Sequence, residues 1–355
     1  MFGRKTCVGL DISQYCVKMV ELKKARGKIS LNKLGMAKIP KGSEEEQPEL
    51  TVKTIRQVLH ASKVKAKEVS VAVSGTSVVV RYIRLPYVSE QELRGVIKYE
   101  AEEYIPFGTE DVIMDFQILG DLVDSRGDRK IDVLLVAAKK GFVDQRLSII
   151  KKAGLKPLFL NVDTFCNEEV WDYNYEQKED VVALVDIGER FTNVNVVEGG
   201  ISRFNRDLLV GGSGFTQSIQ KEFNISPEEA EAMKEEKGAI LSEEELMRAD
   251  QTLSRISDAI EIVASKLTRE LERSFAYYYT QASRKRIDKV ALCGGSAKLR
   301  NLDKFLGAGL GIPVIVTNPF DRIEINESVF DKGFIDKISP LFTVAVGLSL
   351  RGLLA

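Results

Sequence analysis

The chain has 355 residues, 44% of them apolar and 29% charged, with a formal net charge of −1. That length can bury two full cores, and so even a charge balance leaves no broad basic field for nucleic acid or anionic lipid. A single histidine, His60, leaves no material for a His-based triad or a His-rich metal site, and Cys7, Cys16, Cys166 and Cys293 lack C-x-x-C spacing and read as small buried residues of a reducing compartment.

The start, MFGRKTCVGLDIS, meets an Asp before any apolar h-region, so no signal peptide is expected. No apolar run approaches the roughly 18–20 residues of a membrane span. Strand patterns cover Thr6–Ile12, Val17–Lys23 and Lys28–Ile39, with Gly27 in the second turn. Lys41–Leu50 reads as a polar linker, Thr51–Ser62 as a helix and Val69–Gly75 as a buried strand. Ser77–Pro86 is a strand pattern stopped by proline. Ser89 and Glu92 then form an S-x-x-E capping box before a helix running to about Tyr104. Two further strands flank the charged turn DLVDSRGDRK, and Lys140–Ala153 reads as a helix closed by Gly154. This block has the rhythm of a small α+β module inserted in a larger fold.

LKPLFLNVD leads to a helix from about Thr164. Three strands follow across residues 181–212, with a Gly199–Gly200 turn, and then a helix after Gly211–Gly214. Ser226–Asp250 is a Glu- and Lys-rich helical surface, and Gln251–Arg284 is one long amphipathic helix. KVALCGGSAKLRNLDKFLGAGLGIPVIV reads as strand, glycine turn, helix and strand. The G-x-G-x-G at Gly307–Gly311 lacks the strand-to-helix setting of a dinucleotide fingerprint and reads as a loop. Thr343–Leu354 is a small-residue helix.

The opening pattern occurs twice. Asp11-Ile12-Ser13 can be set over Asp186-Ile187-Gly188, a separation of 175 residues. In both copies an apolar strand enters the acid, and alternation resumes six positions later, at Val17 and Thr192. In both, a glycine turn leads to a third strand. A single Asp at a hairpin turn is explained by the turn itself. Its repetition favours two opposed turns that offer backbone N–H groups to a polyphosphate, with two carboxylates holding the waters of a bound Mg²⁺. Lys18 would add a cation near the phosphates. No G-x-x-x-x-G-K-[ST] is present, which excludes a P-loop.

These motifs resemble those of the actin-like ATPase superfamily. The resemblance implies an α/β fold of two RNase H-like halves around a nucleotide cleft, with a small α+β subdomain inserted in the first half. DIS at Asp11 matches the first phosphate motif (Asp11, Ser13, Gln14, Lys18), and DIGERFTN the second (Asp186, Gly188, Thr192, Asn193). LCGGSAKL matches the adenosine motif (Gly294, Gly295, Ser296), GGSG a turn near the phosphates (Gly211, Gly212), and AEAMK a ribose-contacting pair (Glu231, Lys234). Asp163, in VDTF, falls where the superfamily often keeps an acid near the metal. Asp11, Asp186 and Asp163 are thus the implied Mg²⁺-water residues, and ATP or ADP with Mg²⁺ the implied cofactors.

RLPYVSEQELRGVIKYEAEEYIPF, Arg84–Phe107, is similar to the corresponding segment of the PilM family of type IV pilus assembly. That resemblance implies subdomain 1A at 1–76 and 158–180 and 1C at 77–157. It implies 2A at 181–215 and 285–340, 2B at 216–284, and a helix at 341–355 returning to 1A. It also implies docking of the N-terminal tail of an inner-membrane PilN-like protein in a groove between 1A and 1C. The protein would then be cytoplasmic and peripheral at the inner membrane, with other pilus assembly proteins (PilO, PilC, the assembly ATPase) and self-association as further contacts. An FtsA-like division protein shares the plan but carries an amphipathic tail where this chain ends at Leu353-Leu354-Ala355. An actin-like sugar or acetate kinase would need a convergent substrate set that the first half does not show. Two departures stand out. Ser13 replaces the usual glycine, which implies an altered or looser turn. Glu189 and Arg190 replace small residues, and a carboxylate beside phosphates is unhelpful unless it points away. Both imply at most slow ATP hydrolysis.

Overall fold

A computed structural model describes residues 5–124, 126–175, 180–280 and 285–354, and every structural statement below concerns those residues. The first half contains β1 (Thr6–Ile12), β2 (Cys16–Ala25), β3 (Lys28–Lys38), α1 (Gln47–Ala61), β4 (Glu68–Val73), β5 (Val78–Pro86) and α2 (Glu90–Ala101). It continues with β6 (Val112–Val123), β7 (Arg129–Lys139), α3 (Lys140–Lys152), β8 (Lys156–Val162) and α4 (Asp163–Asn174). The second half contains β9 (Val181–Ile187), β10 (Thr192–Glu198), β11 (Ile201–Leu208), α5 (Gly212–Phe223), α6 (Pro227–Lys237), α7 (Glu243–Leu246) and α8 (Gln251–Thr280). It ends with β12 (Lys289–Cys293), α9 (Leu302–Leu310), β13 (Val314–Val316), α10 (Lys332–Ile338) and α11 (Thr343–Leu354).

The repeat seen in the sequence is a repeat of topology. One five-stranded sheet has the order β3-β2-β1-β4-β8, and the other β11-β10-β9-β12-β13. In each, an antiparallel meander of three strands is extended by two parallel strands on the side of the first. β1 pairs parallel with β4, and β4 with β8. β9 pairs parallel with β12, and β12 with β13. Central parallel strands are covered on both faces, so they read as continuous apolar runs rather than alternations. β9 accordingly buries Val181 to Val185 without a break.

The chain divides into two compact units. One comprises residues 7–21 and 33–163, the other residues 5–6, 22–32 and the chain from Thr164 onward. In the first unit, Leu10, Met19, Ile55 and Ile150 are among the fully buried core residues. The same unit carries the inserted module, a three-stranded antiparallel sheet β5-β7-β6 packed on α2. α2 presents Leu93, Ile97 and Ala101 to that sheet, one turn apart, and its start carries the full capping box. Ser89 Oγ accepts from Glu92 N–H at 3.3 Å, while the Glu92 carboxylate accepts from Ser89 N–H at 2.8 Å. The module leaves and rejoins the unit at one place: Lys139 N–H donates to Ser77 C=O at 2.9 Å. By its own sheet the module runs Val78–Lys139, since α3 packs on α1 and feeds β8 of the main sheet.

In the second unit, α8 supplies Ile256, Ile260, Leu267, Leu271 and Phe275 to the core beneath β9, β10 and β12. On the opposite face, Trp171 of α4 packs against Val182, Leu184, Val197 and Ala291. α4 in turn meets α11 at Gly347, which approaches Cys166 so closely that an added Cβ would lie 2.1 Å from the Cys166 carbonyl oxygen. All four cysteines are buried.

Several sequence expectations change in detail. α1 starts at Gln47, inside the supposed linker, because Pro48 is well suited to a first helical turn. α2 stops at Ala101, where Tyr104 N–H closes back on the Ala101 carbonyl. The expected helix end at 281–284 lies outside the described residues. Gly307 and Gly309 belong to α9 rather than a loop. Gly309 is required by packing, as a Cβ there would lie 2.7 Å from a Thr268 methyl of α8, and Gly311 closes the helix in the left-handed conformation. Lys332–Leu354 is long and apolar enough to cross a membrane, contrary to the expectation of no such run, and 67% of its apolar window is buried within the protein.

Candidate functional site

The second unit gathers most of the implied nucleotide residues at the carboxyl ends of its central strands. Asp186 is in register with Asn193 on β10 and Cys293 on β12. The β9–β10 turn is closed by Gly188 N–H donating to Phe191 C=O at 3.0 Å. The first turn of α5 then docks onto that hairpin: Gly212 N–H reaches Gly188 C=O at 2.8 Å, and Ser213 N–H reaches Glu189 C=O at 2.7 Å. Glycine at 211 permits this approach, because a Cβ would lie 2.6 Å from the Glu189 carbonyl oxygen. Glu189 and Arg190 are both exposed, and it is the backbone carbonyl of Glu189 that holds α5 in place. Thr192, fully buried, donates from Oγ1 to Val210 C=O at 2.7 Å. Asn193 Nδ2 donates to Asp207 at 2.8 Å.

Gly294 completes the cradle. Its φ is +87°, and a Cβ there would lie 2.3 Å from Asp186 Oδ1 and 2.6 Å from Ile187 C=O. Gly295–Lys298 forms a single 3-10 turn that buries Ser296. On α6, Glu231 and Lys234 pair at 2.7 Å across i, i+3. Lys234 Nζ also donates to Thr216 Oγ1 at 2.8 Å and Gly212 C=O at 3.2 Å. These contacts engage all three ammonium protons within the protein. Lys234 thus fixes α6 to the start of α5, and Glu231, hydrogen-bonded to Thr216, is the more exposed of the pair.

In the first unit, Asp11 is buried and forms an ion pair with Lys18 of the adjacent strand. Arg146 of α3 sits near both Asp163 and Asp11. Burial holds its guanidinium below the usual arginine range, and the two carboxylates oppose that shift. Ser13 corrects the expectation of a looser turn. Its φ is not positive, and its hydroxyl accepts from Cys16 N–H at 2.9 Å and Tyr15 N–H at 3.2 Å while donating to Cys16 C=O at 3.0 Å. The serine tightens the hairpin by hydrogen bonding where glycine would do so by backbone freedom.

Three participants escaped the sequence reading: Arg146, Thr216 and Asn167. Thr216 lies one turn after Gly212. Asn167 lies one turn after Asp163 and donates from Nδ2 to Asp186 Oδ2 at 3.2 Å. That i+4 spacing was the available signal. No group of three His, Cys, Asp or Glu side chains converges to cage a metal among the described residues. Within the second unit, the Asp186 carboxylate and the Asn167 amide beside it are oxygen acceptors of the kind that suit a hydrated Mg²⁺ carried mainly by phosphate, which is how that ion is commonly bound.

Beside this site, Glu168 of α4 is pushed up from 4.5 to about 7, first by burial and then by the Asp172 charge; the Asn195 side chain and the Ser202 backbone oppose the rise. Its Oε2 is buried without a hydrogen-bond partner. A carboxyl with a raised folded pKa favours its neutral form, so the folded state loses stability as pH climbs from 4.5 through 7. At about 1.36 kcal/mol per tenfold change in acidity, the loss approaches about 3 kcal/mol above neutrality. Glu168→Gln is expected to be more stable than the parent at about pH 8 and indistinguishable near pH 4.5, by chemical denaturation at both values.

Two sheets of this order, each opening on a hairpin that carries an acid at its turn, define an actin-like ATPase fold. Solved structures agree on it. EutJ of Carboxydothermus hydrogenoformans aligns over 98% of this chain and 90% of its own at 14% identity, TM-score 0.55. MreB5 of Spiroplasma citri bound to ADP aligns over 97% and 95% at 14% identity, TM-score 0.53. The chain belongs to a particular branch of that class: the family model for type IV pilus assembly protein PilM matches residues 9–353. A PilM–PilN type IV pilus biogenesis complex aligns over 98% of both chains at 29% identity, with a TM-score of 0.84.

Proposed function

We propose that this protein is a nucleotide-dependent docking component of type IV pilus assembly. It would sit at the cytoplasmic face of the inner membrane and hold the N-terminal tail of a PilN-like membrane protein. The observation that carries the reading is the alignment over 98% of both chains with a PilM–PilN complex, which leaves no room for the inserted module to be missing from either. The same alignment favours pilus assembly over a division or kinase role.

ATP or ADP is the proposed ligand. The glycine cradle of the second unit (Gly188, Gly211, Gly212, Gly294, Gly295, Ser296) and Glu231 would hold its phosphates and adenosine. Asp11, Ser13, Gln14 and Lys18 of the first unit would contribute to the phosphates. Asp11, Asp163 and Asp186 would accept hydrogen bonds from the waters of Mg²⁺, and the ion itself would neutralise phosphate charge. Lys18 would exchange Asp11 for phosphate when nucleotide enters. Hydrolysis is proposed to be at most slow, with the attacking water positioned by polar groups rather than activated by a strong base.

The tail is proposed to dock against the inserted module, in the groove it forms with the rest of the first unit. The test uses a fluorescent synthetic peptide of a PilN-like N-terminal tail, titrated into the protein with and without Mg·ATP. Saturable binding is expected. Because Ser77 and Lys139 are hydrogen-bonded neighbours, residues 79–138 can be replaced by a short Gly-Ser turn with little demand on the host sheet. That variant is expected to remain folded by circular dichroism and to lose peptide binding. Retained binding in the folded deletion variant would place the tail elsewhere.

A further inference from the structure

Asp186 is held from two sides within its own unit. Gly294 lies against Oδ1, with no room for a Cβ, and Asn167 Nδ2 donates to Oδ2 at 3.2 Å. Asn167 is only 4% exposed, and its Oδ1 is buried without any hydrogen-bond partner. The amide's orientation is fixed by chemistry: an ionised carboxylate can only accept, so the NH₂ group must face Asp186. The carbonyl oxygen is thereby left as a spare acceptor beside the carboxylate. Buried amide oxygens are usually satisfied, and one that is not calls for a donor. Water coordinated to Mg²⁺ is such a donor, with its oxygen turned to the cation and two polarised protons turned away from it.

We infer that Asn167 is a positioning residue for the Mg²⁺ of a bound nucleotide: Nδ2 orients Asp186, and Oδ1 accepts a hydrogen bond from a metal-bound water. This rests on the nucleotide reading above. Partners of this outer kind set metal affinity by about 10–100-fold in other sites. A purely structural asparagine would instead affect folding, and nucleotide binding with or without metal alike.

The experiment compares the parent with Asn167→Ala and Asn167→Asp. The aspartate keeps the volume and an acceptor, loses the donor and adds a like charge beside Asp186, so it guards against a cavity effect in the alanine. A fluorescent ATP analogue is titrated in Mg²⁺ and in EDTA, and melting of the nucleotide-free protein is recorded. The parent is expected to bind more tightly in Mg²⁺. Both variants are expected to lose at least about tenfold of that gain, with affinity in EDTA and melting temperature close to the parent's. An unchanged Mg²⁺ gain in Asn167→Asp overturns the inference, as does an equal loss in Mg²⁺ and EDTA. A parent that binds nucleotide without any Mg²⁺ gain also overturns it. A parent that binds no nucleotide in either medium removes the nucleotide reading itself, a result distinguishable from the others.

Discussion

Gly294→Ala is expected to eliminate measurable nucleotide binding. The position combines two demands that no other residue meets. Its φ of +87° carries a cost of about 1–2 kcal/mol for an L side chain. Its Cβ would also fall 2.3 Å from Asp186 Oδ1 and 2.6 Å from the Ile187 carbonyl oxygen. The carboxylate could rotate away, but the Ile187 backbone cannot, because it is locked into the β9–β10 pairing opposite Thr192. The alanine must therefore displace the turn that carries Asp186 from the turn that would carry the adenosine. A shift of about 1 Å at a positioned site costs roughly 100-fold, so calorimetric titration with Mg·ATP should show at least that loss. Gly95→Ala in α2 is the control, since it lies outside the cradle and a Cβ there meets nothing within 4 Å. Parent-like affinity in the Gly294 variant would show that the cradle does not receive the nucleotide.

The second large effect concerns stability alone. At Gly347 the backbones of α4 and α11 touch, with an added Cβ 2.1 Å from Cys166 O and 2.7 Å from its carbonyl carbon. Neither atom is the free end of a side chain. Gly347→Val is therefore expected to force the two helices apart and to cost about 3 kcal/mol or more. For a unit of this size that corresponds to a fall of roughly 6–12 °C in its melting transition. Gly141→Ala in α3, where a Cβ would meet open space, is expected to be neutral or slightly stabilising. Differential scanning calorimetry of both variants decides the matter; a Gly347→Val transition within about 2 °C of the parent's, on the scale just estimated, would mean the helices separate at little cost.

How much of this was legible without coordinates varies by residue. The doubled acid-bearing hairpin was readable, because strand alternation and turn chemistry are local, and the two copies reproduce one strand order. The capping box at Ser89 and Glu92 was readable for the same reason. The glycines of the adenosine motif were visible as glycines, but why they are glycines was not. Gly294 answers to a carboxylate more than a hundred positions earlier in the chain, and Gly309 to a threonine on another helix. At Ser13 the loss of glycine's backbone freedom is visible in the sequence, but the three local hydrogen bonds of the hydroxyl that offset it depend on the folded turn. Asn167 and Arg146 were missed because their partners are brought near by tertiary folding. Lys332–Leu354 shows the reverse failure: its composition suits a membrane span, and burial against the protein core is what accounts for it.

The hydrogen bond between Ser77 and Lys139 has a consequence for the order in which the chain folds. An unstructured excursion from β4 to β8 would impose a long-loop closure cost on the parallel pairing of those strands. Once the module has collapsed on its own core of Leu93, Ile97, Ile131, Val133 and Leu135, its two ends emerge side by side, and the host strands see a short connection. A module that collapses first would therefore ease the β4–β8 pairing. Substitutions in the module's core would slow the folding of a sheet they never touch.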